Sequence, residues 1–205
     1  MKWIGNHGIY QFSHSGIFQS VDLGAKFISQ YASGAPMGCE AAALLEGLQT
    51  KGYATNLSLK QLLKQMPLAT DGNPNYGFGG TPYKIINGTY QSIYAAQLAK
   101  WARSYDSKVA DISGTNTDGL KNELRNGNPI VVYVTYKYTA PVWRNYNFGH
   151  AIDNAHVVLL DGYRNGSYHI VDPAGNQDGL ASSYWISATD FENSWNARRS
   201  AVAIR

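Results

Sequence analysis

The sequence of 205 residues has little charge, a single cysteine and no long apolar run. Charged residues make up 15% of it and the formal net charge is +3, so neither a nucleic acid nor an anionic membrane is predicted as a partner. One cysteine excludes an internal disulfide and therefore a disulfide-stabilised scaffold. No segment approaches the roughly eighteen apolar residues of a membrane span, and residues 1–16 lack the continuous apolar stretch of a signal peptide.

Apolar residues, glycine and tyrosine are abundant instead. Apolar residues make up 44% of the chain, which contains 21 glycines and 15 tyrosines, and this composition is typical of one folded domain. We expect an N-terminal extension over residues 1–25 and the domain proper over residues 26–205, as a monomer without a cofactor. The low charge favours an extracellular or cell-surface bacterial protein, with a cytoplasmic location as the alternative.

The apolar pattern changes from helical to extended along the chain. Strong helix formers run from Cys39 to a stop at Gly52 with almost no polar face at first, which predicts a largely buried helix. The other predicted elements are a short strand over 26–31, a helix opening at Ser58, a long loop over 67–90, a helix over 92–105, a helix capped by Thr117 or Asp118 and closed by Gly127, and strands over 129–136, 156–163, 168–172 and 200–205. Helices first and strands afterwards favour an α+β fold with the helices packed on an antiparallel sheet.

Cys39 lies where a loop becomes this helix, directly after Gly38. A free cysteine is most often a small buried core residue. A thiol at a helix N-terminus, however, lies at the positive end of the helix dipole, which favours the thiolate and lowers the thiol pKa. At this point the core and the nucleophile interpretations remain equally open.

A nucleophilic thiol needs a base, and the histidines are His7, His14, His150, His156 and His169. Only His156 opens a strongly apolar strand, and the second arm of the hairpin that follows ends at Asp172, before Pro173.

The hairpin loop decides whether His156 and Asp172 share a face of the sheet. A two-residue loop at 165–166 would place Asp172 opposite Leu159, on the other face from His156. A three-residue loop at 164–166 would place it opposite Val158, as a diagonal neighbour of His156 about 7 to 8 Å away at the backbone. We predict the three-residue loop, in which Asp172 orients the imidazole that accepts the thiol proton.

Several stretches resemble the C39-like, or double-glycine-peptidase-like, cysteine peptidase family, whose members are relatives of papain. They are PMGCEAAALLEGLQTKGY, NGNPIVVYVTY, NAHVVLLDGY and YHIVDPAG, together with GFGGTPY and DFENSW, and the similarity runs from about Lys26 to the C-terminus. The resemblance implies a papain-like fold and a cysteine peptidase acting on peptide or protein substrates. The double-glycine leader peptidases carry Asp-Cys-Gly and a fused transporter, whereas this chain has Gly38-Cys39-Glu40, so leader specificity does not carry over.

The resemblance also implies roles for individual residues. Cys39 is the nucleophile, His156 the general base and Asp172 the residue that orients the base. A glutamine upstream of the cysteine supplies a side-chain donor to the oxyanion. The matching residue is Gln30, with Gln19 as the alternative.

Other interpretations remain. His150, Asp153 and His156 form an H-x2-D-x2-H cluster of zinc-binding residue types, although its spacing fits no ligand motif, and His150 and Asp153 fit better at the cleft rim. A catalytically inactive binding module with the same fold, or a thiol acyltransferase with the same nucleophile, is a further alternative.

The segments at 67–90 and 138–149 are expected to wall the cleft, with two aromatic residues of the second segment, Trp143 and Tyr146, sheltering the imidazole and the carboxylate. His169 is expected to be structural.

Overall fold

A computed structural model describes residues 2–5, 8–12 and 18–205, and its described side chains begin at Ser20. The helices are α1 (Cys39–Thr50), α2 (Leu59–Leu63), α3 (Ala95–Ala102), α4 (Thr117–Arg125) and α5 (Ala188–Trp195). Within the described residues, none of the helices is long and apolar enough to cross a membrane. His7 and His14 lie outside the described residues.

The strands are β1 (Lys2–Gly5), β2 (Gly8–Phe12), β3 (Phe18–Asp22), β4 (Leu68–Ala69), β5 (Phe78–Gly79), β6 (Ala110–Asp111), β7 (Ile130–Thr135), β8 (Trp143–Tyr146), β9 (Gly149–Ile152), β10 (Ala155–Arg164), β11 (Ser167–Val171), β12 (Ser183–Ser187) and β13 (Ala201–Ala203). Nine of them form one sheet in the order β1-β2-β3-β10-β7-β13-β6, with β11 paired to β10 and β12 paired to β11. β8 and β9 form a separate hairpin.

β10 is the central strand of the sheet. Its first part pairs with β7, its far end pairs with β3, and β11 lies along its other edge, all antiparallel. Alternate residues of β10 therefore belong to two cores. Val157 and Leu159 pack in the core that contains α1, α2 and α3, whereas Val158 and Leu160 pack in the core that contains α4 and α5.

Local sequence explains where the helices begin and end. Ser58 caps α2 and exchanges hydrogen bonds with Gln61 in a capping box. α1 ends just before Gly52, whose φ of +84° is the left-handed conformation that glycine adopts most easily. The predicted cap of α4 is wrong by one or two residues, because Asn116 is the N-cap and accepts a hydrogen bond from the Gly119 N–H.

The predicted strand over residues 26–31 is wrong, because this segment is a loop followed by a turn that starts at Gln30. The backbone N–H groups of this loop donate hydrogen bonds to buried carboxyl groups instead of to a neighbouring strand. The Ile28 N–H donates to Glu46 Oε1 of α1 at 2.8 Å, and the Ala25 N–H donates to Asp161 Oδ2 at 2.9 Å. Upstream of it, β3 pairs with β10 and lies in the main sheet, so part of the segment expected to be an extension is sheet structure.

Candidate active site

Cys39 is the first residue of α1, and the loop before it requires a glycine at its N-cap. A Cβ on Gly38 would lie 2.9 Å from the Cβ of Ala35 and 3.1 Å from its carbonyl oxygen. The Gly38 N–H donates to that same carbonyl at 2.9 Å, which closes the turn that leads into the helix. Gly38 therefore allows the tight turn that places a half-buried thiol at a helix N-terminus.

The thiol contacts the carboxyl group of the next residue. Cys39 Sγ donates to Glu40 Oε2 at 3.3 Å, and Glu40 is 1% exposed. Burial, together with the charge and hydrogen bond of Glu40, raises the pKa of Cys39 well above its ordinary value, although the backbone of Val157 opposes this in part. The expectation of a lowered thiol pKa is therefore wrong for the resting protein, because the dipole argument took no account of Glu40 or of burial.

His156 and Asp172 form a buried pair. His156 Nε2 lies 2.7 Å from Asp172 Oδ1, and the two residues are 6% and 1% exposed. His156 is the second residue of β10, and Asp172 directly follows β11. The structure thus brings the predicted pair together, and within the described residues the other ring nitrogen, Nδ1, makes no hydrogen bond.

The predicted three-residue hairpin loop is wrong. Arg164 pairs with Ser167, so the loop has two residues, Asn165 at φ +44° and Gly166 at φ +75°, as in a type I′ turn. The register then shifts by one residue at Asp161, where β10 has a bulge, and farther along Leu159 pairs with Val171. The bulge supplies the extra residue that the loop was expected to supply, and it returns Asp172 to the face of His156.

Three donors converge on Asp172. Oδ1 accepts hydrogen bonds from His156 and from the Ala174 N–H at 2.9 Å, and Oδ2 accepts one from the Tyr184 hydroxyl at 2.9 Å. Burial tends to raise the pKa of Asp172, but the His156, Ala174 and Tyr184 donors outweigh it and lower the pKa below its ordinary value. Tyr136 lies edge-on to the His156 ring, with centroids 5.5 Å apart.

Gln30 lies in the loop before Cys39 and is 3% exposed. Its Nε2 donates to the Pro36 carbonyl at 2.6 Å, and its Oε1 is buried without a hydrogen-bond partner among the described residues. Its backbone N–H donates to the Pro173 carbonyl at 3.0 Å, which ties this loop to the residue after Asp172. Gln19 lies in β3.

A cleft opens above Cys39. The residues on either side of His156, Ala155 and Val157, line the same cleft as the thiol. Residues 85–92 line it too, together with Arg144 and Tyr146 of β8 and Asp153 after β9. The lining residues are Met37, Cys39, Glu40, Ile85, Ile86, Asn87, Gly88, Thr89, Tyr90, Gln91, Ser92, Arg144, Tyr146, Asp153, Ala155 and Val157. Of the two segments expected to wall the cleft, residues 85–90 of the first and Arg144 and Tyr146 of the second line it.

The aromatic residues expected to shelter the imidazole make other contacts among the described residues, and the aromatic ring that packs against His156 is that of Tyr136. Trp143 is 47% exposed and packs against the His150 ring, with centroids 5.0 Å apart and the ring planes tilted by 34°. Tyr146 lines the cleft and donates its hydroxyl hydrogen to Asp153, which also pairs with Arg144 at 3.1 Å.

The zinc cluster considered for His150, Asp153 and His156 does not form among the described residues. His150 packs against Trp143, and His156 is hydrogen-bonded to Asp172. In the described ranges, the side chains that could hold a metal ion and lie close together are instead those of Asp22, Asp161 and His169. Asp161 is the bulge residue, and its Oδ1 lies 2.6 Å from His169 Nδ1, in keeping with the structural role expected for His169.

Comparison with known proteins identifies the family. The sequence model of the Peptidase_C39 like family matches residues 22–203. The chain belongs to the Peptidase_C39 like family. The expected resemblance is thus confirmed. The uncharacterized protein YvpB of Bacillus subtilis is 28% identical to this C39-like chain over 179 residues, covering 82% of this chain and 68% of that protein.

Solved structures resemble the C39-like chain as well. The crystal structure of a C39-like peptidase candidate from Bacillus anthracis matches with a TM-score of 0.78 and 25% identity, covering 91% of this chain and 98% of that one. Xylellain, a cysteine protease from Xylella fastidiosa, matches with a TM-score of 0.47 and 16% identity, covering 96% of this chain and 91% of that one. The expected α+β class, with helices packed on an antiparallel sheet, is confirmed, and the fold is that of the C39-like structure from Bacillus anthracis.

Sequence reasoning missed Glu40, Tyr184 and Tyr136. Glu40 had a readable signal, because it is a charged residue beside the cysteine in a helix with almost no polar face. The two tyrosines had none, because the chain contains 15 and only the folded structure selects those near the His156 and Asp172 pair.

Proposed function

We propose that this protein is a cysteine peptidase that hydrolyses peptide or amide bonds through an acyl-enzyme intermediate. The observation that carries the proposal is the buried His156 and Asp172 pair, with Nε2 and Oδ1 2.7 Å apart, in which His156 belongs to the strand whose residues line the cleft holding Cys39. An imidazole held through one nitrogen by a carboxylate has its other nitrogen left to accept a thiol proton. Membership of the C39-like family supports the same chemistry.

Each step has a residue to perform it. Cys39 Sγ attacks the substrate carbonyl carbon as His156 takes the thiol proton, and His156 then gives that proton to the leaving amine. A water molecule, deprotonated by His156, next attacks the thioester and releases the acid and the free thiol. Asp172 holds the ring orientation and stabilises the imidazolium that forms in both halves of the reaction.

The oxyanion of each tetrahedral intermediate needs hydrogen-bond donors. The backbone N–H of Cys39 belongs to the first turn of α1 and so has no acceptor within the helix. Gln30 Nε2 uses one hydrogen on the Pro36 carbonyl, which leaves the second for the oxyanion. Gln30 is therefore assigned the side-chain donor role.

The substrate is assigned as an extended segment of a peptide or protein. The cleft is lined by residues of β10 and of the loop at 85–92, and it combines apolar side chains such as Met37 and Ile85 with polar ones such as Arg144 and Asp153. Such a mixed groove suits a backbone with varied side chains.

The test is cleavage of a proteome-derived peptide library, read by mass spectrometry of the new termini. Wild type is expected to cleave, Cys39→Ala to lose cleavage, and His156→Ala to lose about 10²- to 10⁴-fold in rate. His150→Ala is the matched control, because this exposed histidine lies outside the His156 and Asp172 pair, and it is expected to cleave at the wild-type rate.

The alternatives give different results in the same assay. Cleavage that survives Cys39→Ala would overturn the assignment of the nucleophile. Binding of peptides without cleavage or acyl-enzyme formation would identify an inactive binding module. An added amine acceptor converted to an amide faster than water forms the acid would identify an acyltransferase.

A further inference from the structure

Glu40 is a buried carboxyl group that the proposed reaction does not use. It is 1% exposed and is the second residue of α1, next to the nucleophile. Its Oε1 accepts hydrogen bonds from the Ser92 hydroxyl at 2.5 Å and from the Ile93 N–H at 3.3 Å. Its Oε2 accepts one from the Cys39 thiol at 3.3 Å. The carboxyl group is therefore fixed from one side and faces the sulfur with the other.

The charge of this group is balanced by hydrogen-bond donors alone. Among the described residues, no lysine or arginine lies within ion-pair distance of Glu40. Burial raises the pKa of Glu40 above its ordinary value, although the donors, including Ser92, the thiol and the Ile93 N–H, oppose this in part. A thiolate formed at the observed sulfur position would lie beside an oxygen of this carboxylate, and the two negative charges would repel each other.

Other ionisable groups surround the thiol and the carboxyl group. From β7, the Tyr133 hydroxyl donates to the Ile93 carbonyl at 2.5 Å, and from residues 85–92 Tyr90 lines the same cleft. Arg198 lies 3.4 Å from the Tyr90 hydroxyl through Nη1. Asp172 raises the pKa of Cys39 from the side of β11, and His156 is its partner there. Arg198 contacts Tyr90, and Tyr90 lies between it and the thiol. Glu40 is therefore the charged group in direct contact with the sulfur.

We propose that Glu40 is a positioning residue that holds the Cys39 thiol protonated in the resting enzyme by accepting its hydrogen on Oε2. This proposal rests on the proposed function, in which His156 must take that hydrogen when the sulfur attacks. The proton then moves from Sγ to the imidazole, the sulfur electron pair forms the bond to the carbonyl carbon, and the negative charge passes to the oxyanion, away from Glu40. The arrangement disfavours a free thiolate but not the acylated sulfur, which carries no charge.

The test is the rate of Cys39 alkylation by iodoacetamide as a function of pH. Glu40→Gln removes the negative charge, keeps the size of the side chain and offers an amide N–H to the thiolate. The midpoint of the alkylation profile is expected to fall by about one pH unit or more, which makes the reaction about tenfold faster at any pH below both midpoints. A residue that only supports the fold would change stability without moving this midpoint.

Glu46→Gln is the matched control. Glu46 lies on the same helix and is also 1% exposed, but its Oε1 accepts from the Ile28 N–H and it does not contact the thiol. Its substitution is expected to leave the midpoint unchanged. Glu40→Asp keeps the charge but withdraws the carboxylate by one methylene, so an intermediate fall is expected, and this variant tests the proposal if Glu40→Gln does not fold.

The outcomes are separable. A Glu40→Gln midpoint within about 0.3 pH unit of the wild type, or above it, would overturn the proposal, as would an equal fall in Glu46→Gln. Alkylation needs no peptide cleavage, so a protein that cleaves no peptide but shows the expected shift would refute the peptidase assignment and retain the role of Glu40.

Discussion

At the scale of single residues, Asp172 holds the His156 ring of the candidate site in place. It receives hydrogen bonds from the His156 ring, from a backbone N–H and from Tyr184, and these hold it ionised at neutral pH. A carboxylate with this many donors fixes the ring that it binds, because each bond restricts its rotation. The Tyr184 hydroxyl in turn lies 3.2 Å from that of Tyr138.

Tyr184→Phe tests this network. It removes the donor to Asp172 Oδ2, so we expect a loss of about 1 to 2 kcal/mol in the free energy of unfolding at neutral pH. The folded pKa of Asp172 is depressed, so its contribution is present above the ordinary value of 3.8 and is lost as pH falls through the folded pKa. The difference in the free energy of unfolding between variant and wild type should therefore be smaller at acid pH than at neutral pH. Urea unfolding at a neutral and at an acid pH measures it.

The control for this substitution is Tyr163→Phe. Tyr163 is half-buried in β10, and its hydroxyl makes no hydrogen bond within the described residues, so a change within about 0.5 kcal/mol is expected. A Tyr184→Phe loss that is equally large at neutral and acid pH would contradict the assigned bond to an ionised Asp172.

At the scale of elements, the β10–β11 hairpin shows what local sequence can and cannot specify. The two strands and their antiparallel pairing could be predicted, because apolar periodicity and the Asn-Gly turn signal are local. The shared face of His156 and Asp172 comes from the bulge and not from the three-residue loop predicted to produce it. The bulge could not be predicted. Asp161 remains outside the regular register because its buried carboxylate binds His169 and the Ala25 N–H, and these partners are brought together only by the folded chain.

Gly162→Ala tests how closely β3 and β11 pack against β10 next to this bulge. A Cβ at Gly162 would lie 2.8 Å from the Val21 carbonyl oxygen of β3 and 2.9 Å from the His169 Cβ of β11. Neither group can move without shifting a paired strand, so we expect a loss of about 1 to 3 kcal/mol in the free energy of unfolding, measured by urea denaturation. Ser167→Ala, in the same hairpin, should stay within about 0.5 kcal/mol of wild type, and a Gly162→Ala variant of wild-type stability would show that β3 does not pack there as described.

At the scale of the whole molecule, the order of helices and strands was sufficient to predict the α+β class, whereas the environment of the thiol was not predictable. The pKa of Cys39 depends on Glu40, and Glu40 depends on Ser92, which is 52 positions along the chain from it. Such long-range contacts are set by how α1 packs against the sheet and the segment before α3. A helix N-terminus read from sequence therefore predicts where the sulfur lies, but not its protonation state.

The second buried acid of α1 connects this packing to global stability. Glu46 Oε1 accepts a hydrogen bond from the Ile28 N–H, but Oε2 has no hydrogen-bond partner within the described residues. Burial, together with the charges of Asp172 and Asp161, raises the pKa of Glu46 well above its ordinary value of 4.5, although the Ile28 N–H opposes this. The folded protein thus holds this proton more tightly than the unfolded chain does.

Glu46→Gln is expected to make the protein more stable as pH rises. A raised folded pKa contributes stability that is fully present below pH 4.5 and is lost as pH increases through the folded pKa, whereas a glutamine amide has no proton to lose. The free energy of unfolding of the variant, relative to wild type, should therefore increase between about pH 5 and about pH 8, by about 1.4 kcal/mol for each pKa unit of the shift within that range. Urea unfolding at several pH values measures it. Parallel curves for the two proteins would show that Glu46 is ionised in the fold at no cost, and that its Oε2 has a partner such as a bound water.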